Sequence, residues 1–135
     1  MAILMNKIVL SSFMLATIFF TLMVDVESIF EVYEAKVLMT NKLSNQITIH
    51  CKDKNHDDGF NTLKTGESHR FKFIPDPVGK SSLWFCSFNW TGASHYFDIF
   101  VQKRDYCKDE LCTWDIYAKG PYKTDSQKKC YLWDD

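Results

Sequence analysis

Cysteine, histidine and aspartate are the residues of this chain whose chemistry goes beyond packing. The cysteines are Cys51, Cys86, Cys107, Cys112 and Cys130, and the histidines are His50, His56, His69 and His95. A zinc site needs several such ligands at suitable spacing. His50 and Cys51 are adjacent, so on a strand they point to opposite faces and cannot chelate together. Cys107 and Cys112 stand five apart, wider than a zinc knuckle. Asp53, Asp57 and Asp58 cluster before Gly59, and calcium takes such carboxylates. The alternating ligand pattern of an EF-hand is missing, however, and Lys52 and Lys54 offset the charge, so this stretch reads as a solvated loop. Neither a metal nor a cofactor is expected.

Nucleophilic catalysis needs a Ser or Cys, a His and a carboxylate brought together in space. No Gly-x-Ser-x-Gly elbow occurs. His50 and His95 could formally serve two-histidine nuclease chemistry, but nothing flanking them supports it, and histidines on a surface are the simpler reading. No catalytic residue is expected and the chain reads as a non-enzyme. Asn89-Trp90-Thr91 is a sequon for N-glycosylation. The competing reading is a turn that uses these residues for local hydrogen bonds.

What must position these groups is one domain. The chain has 135 residues, and its 11 Phe, 6 Tyr and 4 Trp can bury a core that a disordered chain lacks. Its 16 basic residues are offset by 17 acidic ones, so bulk charge does not point to nucleic acid. Residues 1–28 read as a secretory signal peptide: Lys7 is the one charge of the start, residues 8–24 are uncharged, and Val26 and Ser28 supply small residues before a cut after Ser28. The alternative is a retained signal anchor, since the uncharged run can just span a bilayer. Without Lys7, Asp25 and Glu27 the remaining domain, 29–135, carries 15 basic and 15 acidic residues. That balance argues against charge-driven attachment to membranes or acidic polymers. An exported chain meets an oxidising compartment, where cysteines pair and an odd count leaves one over.

The domain shows short alternating runs between turns, the pattern of an all-β sandwich or barrel. Seven strands are expected, centred on Val37–Thr40, Ile47–Cys51, Phe71–Phe73, Trp84–Trp90, Phe97–Val101, Cys112–Ala118 and Cys130–Trp133. The alternation turns Cys51, Cys86, Trp84, Trp90 and Trp114 inward. Tyr117 and Tyr122 fall on outer or loop positions and are candidate contact residues.

The residues Asn41-Lys42-Leu43, Ile49-His50-Cys51-Lys52, Asp57-Asp58-Gly59 and Phe71-Lys72-Phe73 come in order. They are followed by Leu83-Trp84-Phe85-Cys86-Ser87-Phe88-Asn89-Trp90, Arg104-Asp105, Cys107, Cys112-Thr113-Trp114-Asp115-Ile116 and Cys130-Tyr131-Leu132-Trp133. The ordered set resembles the plant self-incompatibility protein family, the S-protein homologues. The resemblance implies a small secreted β-sandwich of about seven antiparallel strands with disulfides and no enzymatic activity. It further implies an extracellular ligand that meets a cell-surface receptor through inter-strand loops. By position these loops are 52–65, 75–82, 91–95, 102–111 and 119–128. The alternative function is a secreted carbohydrate-binding module or an inhibitor of an extracellular enzyme.

Five cysteines with one left over allow fifteen two-bridge patterns. Family members with Gly-Pro-Cys where this chain has Gly120-Pro121-Tyr122 imply that Tyr122 has removed the partner of Cys130. On that resemblance the bridges are Cys51–Cys86 and Cys107–Cys112. Cys130 is then a free thiol or the link of a covalent dimer. Once the signal peptide is removed, no stable membrane insertion is expected.

Overall fold

The computed structural model describes residues 33–107 and 110–135. The signal peptide and the cut after Ser28 lie outside the described residues. The regular elements are nine strands: β1 Ala35–Asn41, β2 Ile47–Lys52, β3 Asp57–Leu63, β4 Ser68–Phe73, β5 Leu83–Trp90, β6 Ala93–Val101, β7 Leu111–Tyr117, β8 Gly120–Lys123 and β9 Lys129–Cys130.

They form a five-stranded sheet in the order β4-β1-β7-β8-β9 and a four-stranded sheet in the order β3-β2-β5-β6. Their inner faces share one core. Strand alternation dictates which residues enter it. In β1 the odd positions Val37, Met39 and Asn41 are buried while Lys36, Leu38 and Thr40 are not. In β5 Trp84, Cys86 and Phe88 are buried while Phe85, Ser87 and Asn89 lean outward. Aromatic rings interlock between the sheets: Phe97 of β6 meets Trp114 of β7 edge-on, with centroids 5.3 Å apart. Trp84 of β5 lies 4.7 Å from Phe71 of β4. Such pairs add to the burial of large apolar area.

Nine strands stand where the pattern marks seven. β3 falls where Asp57-Asp58-Gly59 reads as turn chemistry; it is an edge strand in which Leu63 alone is buried, so no apolar alternation marks it. β8 hides behind Gly120-Pro121, since proline cannot donate to a ladder. The last run shrinks to Lys129–Cys130, and the chain beyond it leaves the sheet. Not every pair is antiparallel: β1 and β7 run parallel, with Val37 opposite Cys112. A parallel pair needs a long crossover, which here is everything from β2 to β6.

The segment after β9 ties the sheets together. Tyr131 donates its amide to Pro121 O of β8, and Asp134 donates its amide to Tyr96 O at the free edge of β6. This path requires Gly120. A Cβ there would fall 2.0 Å from the Tyr131 carbonyl oxygen, and its φ of 147° is one that L side chains rarely adopt.

Candidate recognition surface

The topology sorts the connections between two ends. β1, β3, β5 and β7 run one way and β2, β4, β6 and β8 the other, so residues 53–56, 74–82, 102–107 and 124–128 share one end of the sandwich. The opposite end carries 42–46, 64–67, 91–92 and 118–119, and the two longest connections lie at the first end. Of the expected loops, 75–82 lies at the first end, as do residues 102–107 of the stretch 102–111, whose Leu111 begins β7. The stretches 52–65 and 119–128 contribute only their non-strand parts there, because β3 and β8 occupy the rest. The stretch 91–95 lies at the opposite end, and only 91–92 of it is a turn: residues 93–95 begin β6, a correction to the expected loop.

The loop end is braced by side chains. The Gln102 side chain spans two loops: its Oε1 accepts the Ser82 amide at 3.0 Å and its Nε2 donates to Asp76 O at 2.8 Å. Asp76 accepts from the Ser81 hydroxyl and the Val78 amide, which hold its carboxyl below the ordinary aspartate range. Deeper in, Asp105 is fully buried. It accepts the Val101 amide at 2.8 Å, two guanidinium donors of Arg104 at 3.0 and 2.8 Å, and Lys123 Nζ at 3.0 Å. Lys123 donates also to Gln127 Oε1, which accepts the Tyr106 amide. Loop 102–107 and turn 124–128 are thereby held together through one buried ionic centre. The guanidinium of Arg104 also lies 5.1 to 5.6 Å from the rings of Phe97, Trp114 and Tyr131.

Four large apolar side chains stand exposed at this end: Ile74, Val78, Leu83 and Tyr106, the last 82% exposed. Isolated exposed hydrophobes are normal; several on braced loops at one end of a sandwich make a candidate contact surface. No strand alternation singles these residues out in the sequence, since Ile74, Val78 and Tyr106 lie in loops and Leu83 only begins β5. Tyr117 and Tyr122, the two expected contact residues, lie at or near the other end. They line an apolar cleft of about 720 Å³ with Pro121, Cys130 and Leu132.

The cysteines fall as follows. Cys51 and Cys86 stand opposite each other on β2 and β5, buried, with their sulfurs joined. Cys107 and Cys112 are joined, tying the loop after β6 to β7. Cys130 is exposed on β9 with a free thiol. Asp125 lies beside the Cys107–Cys112 pair, the one trio of metal-ligand types among the described residues. Two sulfurs joined to each other offer no thiolate to a metal.

Each histidine pairs with an aspartate: His50 with Asp57 at 2.7 Å, His56 with Asp53 at 3.1 Å, His69 with Asp58 at 2.6 Å and His95 with Asp135 at 2.9 Å. The aspartates read as a loop cluster are thus tied to separate imidazoles. His50 leans outward from β2, whereas His95 turns inward and stacks flat on Trp133. The two lie on opposite sides of the sheet and share no substrate position. Ser87 stands opposite His50 on the outer face, yet no hydrogen bond joins its hydroxyl to the ring, whose partners are Asp57 and Phe60. A Ser-His-Asp relay is not assembled there. Asn89 is on the outer face of β5, opposite Thr48 and Ser94, and the turn begins only at Thr91. Neither the Asn89 carboxamide nor the Thr91 hydroxyl makes the local hydrogen bonds that the turn reading requires. Among the described residues no helix is long and apolar enough to cross a membrane.

Comparison with known proteins agrees with this architecture. Residues 36–133 match the family described as plant self-incompatibility protein S1. S-protein homolog 2 of Arabidopsis thaliana is 38% identical over 118 residues, covering 79% of this chain and 73% of its own length. S-protein homolog 5 of the same plant is 38% identical over 98 residues, covering 72% and 76%. Among solved structures, one of the SPH (self-incompatibility protein homologue) proteins, described as a widespread family of small, highly stable, secreted proteins from plants, superposes with a TM-score of 0.55. That match has 16% identity and covers 76% of this chain and 96% of the other. An ordered cysteine and tryptophan framework, a two-sheet core and a family match over nearly all the described residues point one way: the chain belongs to the plant self-incompatibility protein S1 family.

Proposed function

We propose that this chain is a secreted, non-enzymatic recognition protein that offers its loop end to a protein partner at a cell surface. The observation that carries the reading is the braced loop end itself. Exposed Ile74, Val78 and Tyr106 stand on loops whose backbone is fixed by Gln102, Asp76 and the buried Asp105–Lys123 pair. Ordering loops before binding lowers the entropy lost on association. A rigid sandwich that displays loops is a general solution for recognition. The secreted character of the SPH proteins and the uncharged run 8–24 support export. Two disulfides suit a small extracellular domain.

The exposed Cys130 thiol lies on the two-residue edge strand β9 beside the apolar cleft. It offers a second copy a point of covalent attachment.

The test is direct. Labelled protein, produced in a secretory host, is applied to plant protoplasts. Saturable binding that disappears after mild proteolysis of the cell surface is expected. Binding that is absent, or that survives proteolysis unchanged, overturns the reading.

A further inference from the structure

The outer face of the four-stranded sheet carries exposed aromatic rings around a sequon, and nothing in the recognition reading uses it. Its central row runs Phe60–His50–Ser87–Tyr96 across β3, β2, β5 and β6. Phe60 is 74% exposed and Tyr96 56% exposed. The His50 ring stacks on Phe60 at 4.2 Å. The neighbouring row runs Thr62–Thr48–Asn89–Ser94. Asn89 is therefore a diagonal neighbour of both His50 and Tyr96, at the roughly 7 Å spacing that long side chains and their attachments bridge. From β3 to β6 the face is about 14 Å wide.

From this juxtaposition we infer that Asn89 carries an N-linked glycan, and that this glycan lies over the Tyr96–His50–Phe60 row and shields that face. The inference rests on export of the chain, since the donor belongs to the secretory route. The Asn89 Nδ2 forms a bond to C1 of the first N-acetylglucosamine and loses one proton. The bond from C1 to the pyrophosphate of the lipid-linked oligosaccharide breaks, and the lipid pyrophosphate leaves with its electron pair. The modification precedes folding, so the folded position must tolerate it. Asn89 leans outward and partly exposed, and its carboxamide makes no hydrogen bond that a sugar would break. Trp90, the middle residue of the sequon, packs against the core rather than over the amide.

Sugar rings present C–H faces that pack on exposed aromatic rings and hydroxyls that meet Thr48, Ser87 and Ser94. A glycan anchored in the middle of the face is its natural occupant. It covers apolar area that a soluble secreted protein otherwise leaves bare, and it leaves the loop end, at the ends of these strands, open to a partner.

The chain is expressed in a plant secretory host, and the protein in the medium is weighed intact before and after glycosidase. A mass loss that disappears in Asn89→Gln and in Thr91→Ala, but not in Thr91→Ser, is expected. An environment-sensitive apolar dye then reports the face. Its fluorescence should rise severalfold on deglycosylation, and the rise should vanish in a Phe60→Ser/Tyr96→Ser variant. Secreted protein with a bare Asn89 overturns the inference while leaving export intact. A glycan whose removal does not change dye binding overturns the shielding. Unmodified chain recovered only inside the cells overturns both the inference and the export on which it rests.

Discussion

Lys123 Nζ lies 3.0 Å from Asp105 Oδ1 with both side chains fully buried, and this pair joins the two sides of the loop end. A buried ion pair adds little net stability over an apolar pair, but removing one member strands the other. The two removals differ here. Asp105→Asn leaves the Lys123 ammonium with Gln127 and the more distant Asp125 carboxylate, and should cost about 3–5 kcal/mol. Lys123→Met leaves Asp105 with the Arg104 guanidinium and the Val101 amide, and should cost about 1–3 kcal/mol. Denaturant unfolding of both variants checks the order. Equal losses would mean that Arg104 does not hold Asp105.

The disulfides should contribute unequally. Cys51 and Cys86 are 35 residues apart and Cys107 and Cys112 only 5. Loop-closure entropy then gives about 4 kcal/mol for the first bridge and about 2 kcal/mol for the second. Alanine pairs at each bridge, compared by urea midpoint, test the ranking. Non-reducing peptide mapping tests the pairing itself, and a bridge to Cys130 would contradict it. Any covalent dimer on a non-reducing gel should disappear in Cys130→Ser.

Acid should weaken the fold. Hydrogen bonds hold four carboxyls below the ordinary aspartate value: the Asn55 and His56 amides, against burial, at Asp53, the Gly59 amide and the His50 ring at Asp57, the Ser81 hydroxyl at Asp76, and the Tyr96 amide and the His95 ring at Asp135. A depressed value in the folded state means stability that is complete above about pH 5 and is lost as the pH falls through about 4 and then through the lower folded values. The melting temperature followed from neutrality downward should drop in that window, and Asp57→Asn with Asp135→Asn should flatten the drop. Asp98 has the opposite sign. Burial, with the Asp134 charge beside it, raises its value, so its ionised form opposes folding at neutral pH and the penalty fades as acid protonates it. Asp98→Asn should stabilise by up to about 0.5 kcal/mol at pH 7 and change little near pH 3.

Much of the fold was written in alternation. Trp84, Cys86 and Phe88 announce β5 and its inward face, because apolar side chains at every second residue have one physical meaning. β3 left no such mark, since an edge strand with exposed faces has no apolar side to show. β8 was masked by Gly120 and Pro121. The candidate surface was less legible still. Asp105 and Lys123 are 18 residues apart, and only the β7–β8 hairpin with its parallel partner β1 brings them into contact. That pairing also decides which loops share an end, and no local pattern encodes it. Tyr117 and Tyr122, which the alternation marks as outer or loop positions, line the cleft beside β9 rather than the loop end.

The central claim is that recognition resides at the loop end and not on the sheet face. It is tested most directly by measuring Kd on plasma-membrane vesicles for two paired variants of glycosylated protein. Val78→Ser/Tyr106→Ser should weaken binding at least about tenfold, as the loss of contact anchors does, with the melting temperature unchanged. Phe60→Ser/Tyr96→Ser should bind as the parent does. Loss of affinity in the second variant with full affinity in the first would contradict the account.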